Sequence, residues 1–439
     1  MASPGGLDMA RQIPRICKRL LRIFSPFPQS PTRRSRPALM MNSRSRLFAA
    51  LQDRDYRMFF GAFLVNQTGF WISHISLQAL IAEKSDGDPF MVGLLFFCLF
   101  VPAFFLAPIA GVAADRFNRK TIMIAGYSAI ALLTGILAGA VYAEIASEPL
   151  ILGIAGLMGV CFAMGGPAGS AVAANAVDRE ALPSAISLQA AANNITRVAG
   201  PIFAAPFLAS GQFEVSFAAF SILSLLSIGF LLRMNLRPYT VEADSGGLWS
   251  RLGSGLTHAR ERKPAVAALL TAAVLAGFGV AHIALLPSYA LRVLGDEAYY
   301  AWIIVAQGLG AFAGAMASGR DPHPSVRRAG FLLVAYACAL FLLVLAPVLW
   351  VVLAAEFISG FFYFAIMTSM QTLLQQIVDE AKRGRVMSLF QVAWAGMSPF
   401  GALFLGTLGS AFGLLPAIFF ASCVCLGYGF WLVFRHREA

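Results

Sequence analysis

The stretch Gly111-Val112-Ala113-Ala114-Asp115-Arg116-Phe117-Asn118-Arg119-Lys120 decides how the rest of this chain is read. It is a tight polar turn carrying an acid and three bases, set between the apolar runs Phe90–Ala110 and Thr121–Tyr142. Its bases suit the cytoplasmic face of a membrane. Asp115 can accept hydrogen bonds or face a positive helix N-terminus, and Gly111 allows a neighbouring backbone to approach closely. On these residues alone the turn could equally be an ordinary basic loop that fixes topology.

Outward from this turn the chain keeps the same rhythm. It has 439 residues, of which 58% are hydrophobic and only 13% charged, with a mean hydropathy of +0.72, too apolar for a soluble domain of this size. A membrane span needs ~20 apolar residues, and runs of that length fall at 58–81, 90–113, 120–142, 149–174, 186–209, 213–232, 265–291, 298–317, 328–346, 348–374, 386–410 and 413–434. Alternate connections hold bases from Arg116 through Arg385, while the opposite set holds only Lys84 and Arg292. That asymmetry places both termini in the cytoplasm. The net charge of +11 is therefore largely a matter of topology, and no basic patch interleaved with aromatics points to nucleic acid.

The spacing Gly-x-x-x-Asp-Arg-x-x-Arg-Lys between the second and third runs resembles the signature loop of the major facilitator superfamily. Asn118 stands where that family usually has glycine, and asparagine is the next most tolerant residue of a left-handed turn. The resemblance implies an all-α integral membrane protein of twelve transmembrane helices in two six-helix halves related by pseudo-two-fold symmetry. Divided accordingly, the chain reads as a basic extension (1–42), a first half (43–232), a cytoplasmic linker (233–264) and a second half (265–439). Val177-Asp178 and Val378-Asp379 recur at equivalent loops, and Gly111–Arg116 has a worn counterpart in 315–320 ending Gly319-Arg320. The resemblance assigns gating roles to Gly111, Asp115, Arg116, Arg119, Lys120, Asp178, Asp379 and Arg385. It also implies that Asp115 lies near the start of the eleventh helix, around Arg385.

A charge inside a span is costly and usually functional. Only Arg197 in the fifth run and Glu356 in the tenth lie well inside. They are the candidates for proton coupling or substrate binding, although Arg197 could simply brace its helix through carbonyls or Asn193. Glu356 could snorkel outward or bond to a neighbouring helix. Asn66, Gln67, His74, Asn193 and Gln371 add polar groups on helices expected to line a cavity, with Asn175 at the end of the fourth run. The lone histidines His74 and His282 read first as packing residues. The aromatic groups from Phe59 to Trp71 and from Phe361 to Phe364 read as packing, with some able to line a pocket.

Arg197 precedes Gly200-Pro201, which bends a helix and frees a carbonyl. This pair resembles the Gly-Pro motif of facilitator-type antiporters. Together with Gly166-Pro167-Ala168 it resembles the enterobactin-exporter and transmembrane-secretion-effector branch. The resemblance implies a secondary active transporter, proton-coupled, exporting a small amphipathic molecule such as a siderophore or drug. An uptake permease is the alternative, and a non-transporting receptor or scaffold stands behind it. Its expected partners are the small-molecule substrate, protons and the lipid bilayer. It is read as a monomer of the bacterial plasma (inner) membrane.

An integral-membrane enzyme would need acids or histidines clustered at one interface, and none is seen; no catalytic residue is assigned. There is no nucleotide-binding loop to drive transport by ATP, no metal-ligand spacing and no expected cofactor. Five cysteines, Cys98, Cys161, Cys338, Cys423 and Cys425, fall inside apolar runs and read as small buried hydrophobes. Residues 1–40, rich in Arg, Pro and Ser, read as a start assigned too far upstream, a basic membrane-surface arm or a transit peptide.

Overall fold

Helix follows helix because apolar runs alternate with short polar punctuation. The computed structural model describes residues 48–235, 257, 258, 260–318 and 324–435, and among these every regular element is helical. The long helices are α1 (Arg54–Lys84), α2 (Pro89–Arg116), α3 (Arg119–Tyr142), α4 (Glu148–Asn175), α5 (Leu182–Ala209) and α6 (Phe213–Leu232). There follow α7 (Lys263–Arg292), α8 (Tyr299–Ser318), α9 (Val326–Leu345), α10 (Leu349–Ile377), α11 (380–412) and α12 (Leu414–Arg435). The expected runs are matched, and most helices extend past them by a few polar residues. The extension before residue 43 and most of the 233–264 linker, with Gly319 and Arg320, lie outside the described residues.

Ten of these helices are long and apolar enough to cross a membrane. The remaining long helices, α1 and α5, fall short because they carry the polar load: Asn66, Gln67, His74 and Gln78 on one, Gln189, Asn193, Asn194 and Arg197 on the other. Their polar faces already mark them as facing something other than lipid.

Packing is local within two groups of helices. In the first group α1 packs on α5 and α6, α2 on α4, and α3 on α4 and α6. Later in the chain α7 packs on α11, α8 on α10, and α9 on α10 and α12. The groups meet where α2 lies along α11 and α5 along α8. Glycine lets α8 and α10 touch backbone to backbone: a Cβ on Gly310 would stand 1.9 Å from the Phe357 carbonyl oxygen, and one on Gly314 would stand 2.0 Å from that of Phe361. Small residues give such contacts in membranes, where burial from water no longer drives helices together.

Sequence reading took α7 and α11 as unbroken. Both carry a π turn, at Leu275–Gly279 and Val392–Gly396, and in α7 a 3-10 segment, Val280–Leu285, follows it. In α7 the cause is local. Gly277 and Gly279 resist the regular ladder little, and Pro287 has no N–H for the carbonyl of Ile283.

The opening turn also differs from its reading. Asn118 is not left-handed; with φ −64° and ψ 115° it is the N-cap of α3, its side-chain oxygen accepting from the backbone N–H groups of Lys120 and Thr121. Capping of this kind stabilises a helix start by ~1 kcal/mol. The bases cap as well. Arg119 donates to the Ala114 carbonyl at the end of α2, and Lys120 Nζ donates to the carbonyls of Leu232 and Met234 at the end of α6. Gly111 does not receive a neighbouring backbone here: a Cβ added to it would meet nothing within 4 Å.

Candidate functional site

Lined by α1, α3, α4 and α5 is a half-open cavity of about 470 Å³, within the usual range for small-molecule sites. Asn66, Gln67, Tyr127, Ser170, Gln189 and Asn193 give it polar groups; Phe59, Phe63 and Phe162 give it aromatic walls. Its lining holds no ionisable Asp, Glu, His, Lys or Arg side chain. The amides are held in place: Gln67 Nε2 donates to Asn193 Oδ1 at 2.7 Å, and Asn66 Nδ2 donates to Ser224 Oγ at 3.2 Å. Such a chamber suits an uncharged, part-aromatic body with amide or hydroxyl groups.

One helical turn further along the same α1–α5 seam stands Arg197. Its guanidinium carbon lies 5.3 Å from the Trp71 ring of α1 and 4.8 Å from the Phe364 ring of α10. It therefore sits between the two helix groups, braced by aromatic faces. Gly200 brings α5 close enough for this, since a Cβ there would stand 2.3 Å from Trp71 Cβ. Pro201, inside α5, lacks the N–H that would bond the carbonyl of Arg197.

A second polar centre is built into the later helices. Glu356 of α10 and His282 of α7 are each 0% exposed, and His282 Nε2 lies 2.9 Å from Glu356 Oε1. Ser359 Oγ donates to Glu356 Oε2 at 3.0 Å. His282 Nδ1 faces the Gly279 carbonyl oxygen. A carbonyl can only accept, so Nδ1 carries a hydrogen. The contact between Nε2 and Glu356 then holds one proton, on either the ring or the carboxyl. The 3-10 segment of α7 makes this geometry, turning His282 and the Gly279 carbonyl toward each other.

At the end of the bundle formed by the α1–α2 and α7–α8 connections the helix groups are joined. Arg292 Nε donates to the Asp86 carbonyl at 2.7 Å, and Gly87, at φ +74°, packs against the Arg292 side chain. Deeper in, Tyr300 OH donates to Gln78 Oε1 at 3.0 Å, and Gln78 Nε2 lies 2.9 Å from His74 Nε2. Beside this closure burial, then Glu83, then Asp296 push the carboxyl of Glu297 up to about 7.

The other sequence candidates are spread out. Asn66, Gln67 and Asn193 share the cavity, whereas Gln371 is an exposed residue of α10. Asp178 and Asp379 take the same place, each an extended residue preceding the next helix and following a buried valine. Asp379 is paired with Arg262 at 2.7 Å and His258 at 3.3 Å. Asp115 is in the last turn of α2, and its side chain lies outside the described atoms; Arg116 and Arg385 are exposed. Cys338 and Cys423 are exposed rather than buried. Among the described residues no three His, Cys, Asp or Glu converge as metal ligands would.

Sequence reasoning set His282 aside as packing and left Glu356 to snorkel outward or to bond to an unnamed neighbouring helix. The structure gives Glu356 to His282 of α7 and to Ser359. The signal was available, since His282 lies among Gly277, Gly279 and Pro287, where an apolar helix has reason to break.

Comparison with known proteins agrees with this architecture. The profile described as the Major Facilitator Superfamily matches residues 59–402. The staphyloferrin A transporter of Staphylococcus aureus (strain NCTC 8325 / PS 47) is 23% identical over 387 residues, covering 86% of this chain and 96% of that protein. Among solved structures, the nucleoside transporter NupG superposes with a TM-score of 0.68 at 13% identity, over 88% of this chain and 100% of that one. A bacterial homolog of the human lysosomal transporter Spinster, inward-facing and occupied, superposes with a TM-score of 0.67 at 16% identity, over 91% and 98%. The family and these relatives are transporters, not enzymes. The chain is thus a multi-pass integral membrane protein and belongs to the Major Facilitator Superfamily.

Proposed function

We propose that this protein is a proton-coupled secondary transporter that exports a small amphipathic molecule, siderophore-like or drug-like, across the bacterial inner membrane. Its twelve long helices act as two six-helix halves, both termini are cytoplasmic, and the chain works as a monomer. The repeated packing supports the halves: α1–α5, α2–α4 and α3–α6 recur as α7–α11, α8–α10 and α9–α12, and α2–α11 mirrors α8–α5. Closure at the Asp86–Arg292 end supports an inward-facing state, in which the cavity between α1, α3, α4 and α5 exchanges with the cytoplasm.

The observation that carries the coupling is the buried His282–Glu356 pair. Removing its shared proton would leave a carboxylate facing the lone pair of a neutral ring with no water to screen it, a costly state. The pair therefore keeps its proton while sealed and releases it when α7 moves and water enters. The broken segment of α7 gives that movement a place to occur. The similarity to a staphyloferrin A transporter supports a siderophore-sized cargo, and the Gly200-Pro201 pair supports export.

The experiment is accumulation of labelled siderophores and drugs by cells with and without the protein, each with and without a protonophore. Lower accumulation that rises on adding protonophore is expected. Higher accumulation with the protein would make it an uptake permease, and no difference for any compound in the panel would count against transport.

A further inference from the structure

Among the described residues, three N–H donors near the middle of the molecule have no acceptor: Trp71 Nε1, His74 Nδ1 and Arg197 Nε. They are neighbours. The Trp71 and His74 rings are 5.8 Å apart, and Arg197 lies over Trp71. The His74 hydrogen is placed by a chain of bonds. Tyr300 OH donates to Gln78 Oε1, so the Gln78 amide nitrogen faces His74 Nε2 and donates to it. The ring then carries its hydrogen on Nδ1, where nothing receives it. Buried donors are almost always satisfied, and three unsatisfied together mark a missing acceptor.

Among the described residues Arg197 has no counter-ion. Glu356 is held by His282 and Ser359, and Asn193 Oδ1 accepts from Gln67, with no bond from Arg197 to it among the described residues. Trp71 and Phe364 cover guanidinium faces, a contact that leaves the N–H edge free. A planar fork with a free edge matches a carboxylate. An inorganic anion would leave the neutral aromatic and amide chamber beside it unused.

We propose that Arg197 is the specificity-determining residue of the transported molecule, binding its carboxylate, with Trp71 and His74 as further donors and the uncharged body seated between Phe59, Phe63 and the cavity amides. The proposal rests on the transporter reading and names the substrate class: an organic carboxylate with a polar, part-aromatic body.

The test uses the full chain purified in detergent, with benzoate and benzene-1,3,5-tricarboxylate as probes. The matching amides and sodium chloride at equal ionic strength are controls. Calorimetric binding and the ligand-dependent rise in Tm are measured for the wild type, Arg197→Gln and Arg197→Lys. The carboxylates are expected to bind and stabilise the wild type and the amides are not. Arg197→Gln should bind about tenfold more weakly or worse, and Arg197→Lys should fall between. Equal stabilisation by amides or by chloride, or undiminished carboxylate binding by Arg197→Gln, would overturn the proposal. If Arg197→Gln does not fold, the wild-type comparison of acid with amide still decides. Binding is read without turnover. Carboxylate binding without transport would therefore sink only the transporter reading, and transport without carboxylate recognition would sink only this inference.

Discussion

Nε2 of His282 stands 2.9 Å from Oε1 of Glu356 in a site that hides both side chains from solvent. The pair joins α7 to α10 within one group of helices, away from the cavity between α1, α3, α4 and α5. On the proposed reading, proton and cargo have separate places, and α10, which carries both Glu356 and Phe364, links them.

The two halves of this pair should fail differently. Glu356→Gln puts an amide N–H against His282 Nε2 and an oxygen against Ser359, imitating the protonated acid. It is expected to fold with nearly unchanged Tm, to lose transport driven by a pH gradient and to retain substrate exchange. His282→Ala leaves a buried carboxylate without its partner, a loss of ~3–5 kcal/mol when the pair is charged, and should lower Tm sharply. Vesicle transport under an imposed pH gradient, beside Tm of both variants, checks this. Gradient-driven transport by Glu356→Gln would remove the pair from the mechanism.

Contact between α8 and α10 should tolerate no side chain at Gly310 or Gly314, because an added Cβ would meet rigid backbone oxygens at 1.9 and 2.0 Å. Gly310→Ala is expected to cost ~1–3 kcal/mol through forced separation of the helices. Gly139→Ala is the control, since its Cβ would meet nothing within 4 Å. Thermal unfolding in detergent should separate the two; equal Tm values would mean that the α8–α10 contact is looser than described.

Closure at the Asp86–Arg292 end should depend on pH. Glu297 has a carboxyl raised from 4.5 to about 7 by burial, Glu83 and Asp296. In an open form, with the carboxyl back in water, it would titrate near its ordinary value. Below that value both forms are protonated and the closed contact carries no penalty. Between that value and 7 the open form has released the proton and closing must take it up again, so closure weakens as pH rises; above 7 the full penalty applies. Glu297→Gln should remove the dependence. Fluorescence transfer between labels at positions 142 and 350, exposed residues at the same end of α3 and α10, followed from pH 5 to 8, reads it. An identical profile in Glu297→Gln would exclude this carboxyl.

What the sequence made legible follows from the strength of each local signal. Apolar runs long enough to span a bilayer announce themselves, so every long helix was placed within a few residues. Asn66, Gln67 and Asn193 stood out because polar groups on apolar helices are conspicuous, and the three line one cavity. The partner of Glu356 was missed because pairing across 74 positions depends on how α7 breaks, and a break of two turns is not written in hydropathy. The cap formed by Asn118 was missed for a simpler reason. Asparagine serves both left-handed turns and helix N-caps, and the family pattern pointed to the first.

The signature loop should act as a gate at the end opposite Arg292 and Asp86. In this state Gly111 meets no neighbour, and α2 packs mainly along Val392–Gly396 and Met397–Phe412 of α11 rather than along Glu380–Gln391. Sealing that end would bring the last turn of α2 toward the first turns of α11, placing Asp115 near Arg385 and a helix N-terminus. A carboxylate beside a helix start is stabilised by ~0.3–1 kcal/mol when exposed and up to about 2 when partly buried. A bias of ~1.4 kcal/mol changes a two-state ratio tenfold, enough to slow a cycle that must visit both states. Asp115→Asn is therefore expected to lower turnover while expression and substrate binding change little. If Asp115 only ends α2, the variant will transport normally. Cysteines at positions 115 and 385 supply the structural check. They should cross-link when substrate and pH hold the protein open at the Asp86 end, and should not when it is closed there. A cross-link that never forms in any condition would rule out the gate.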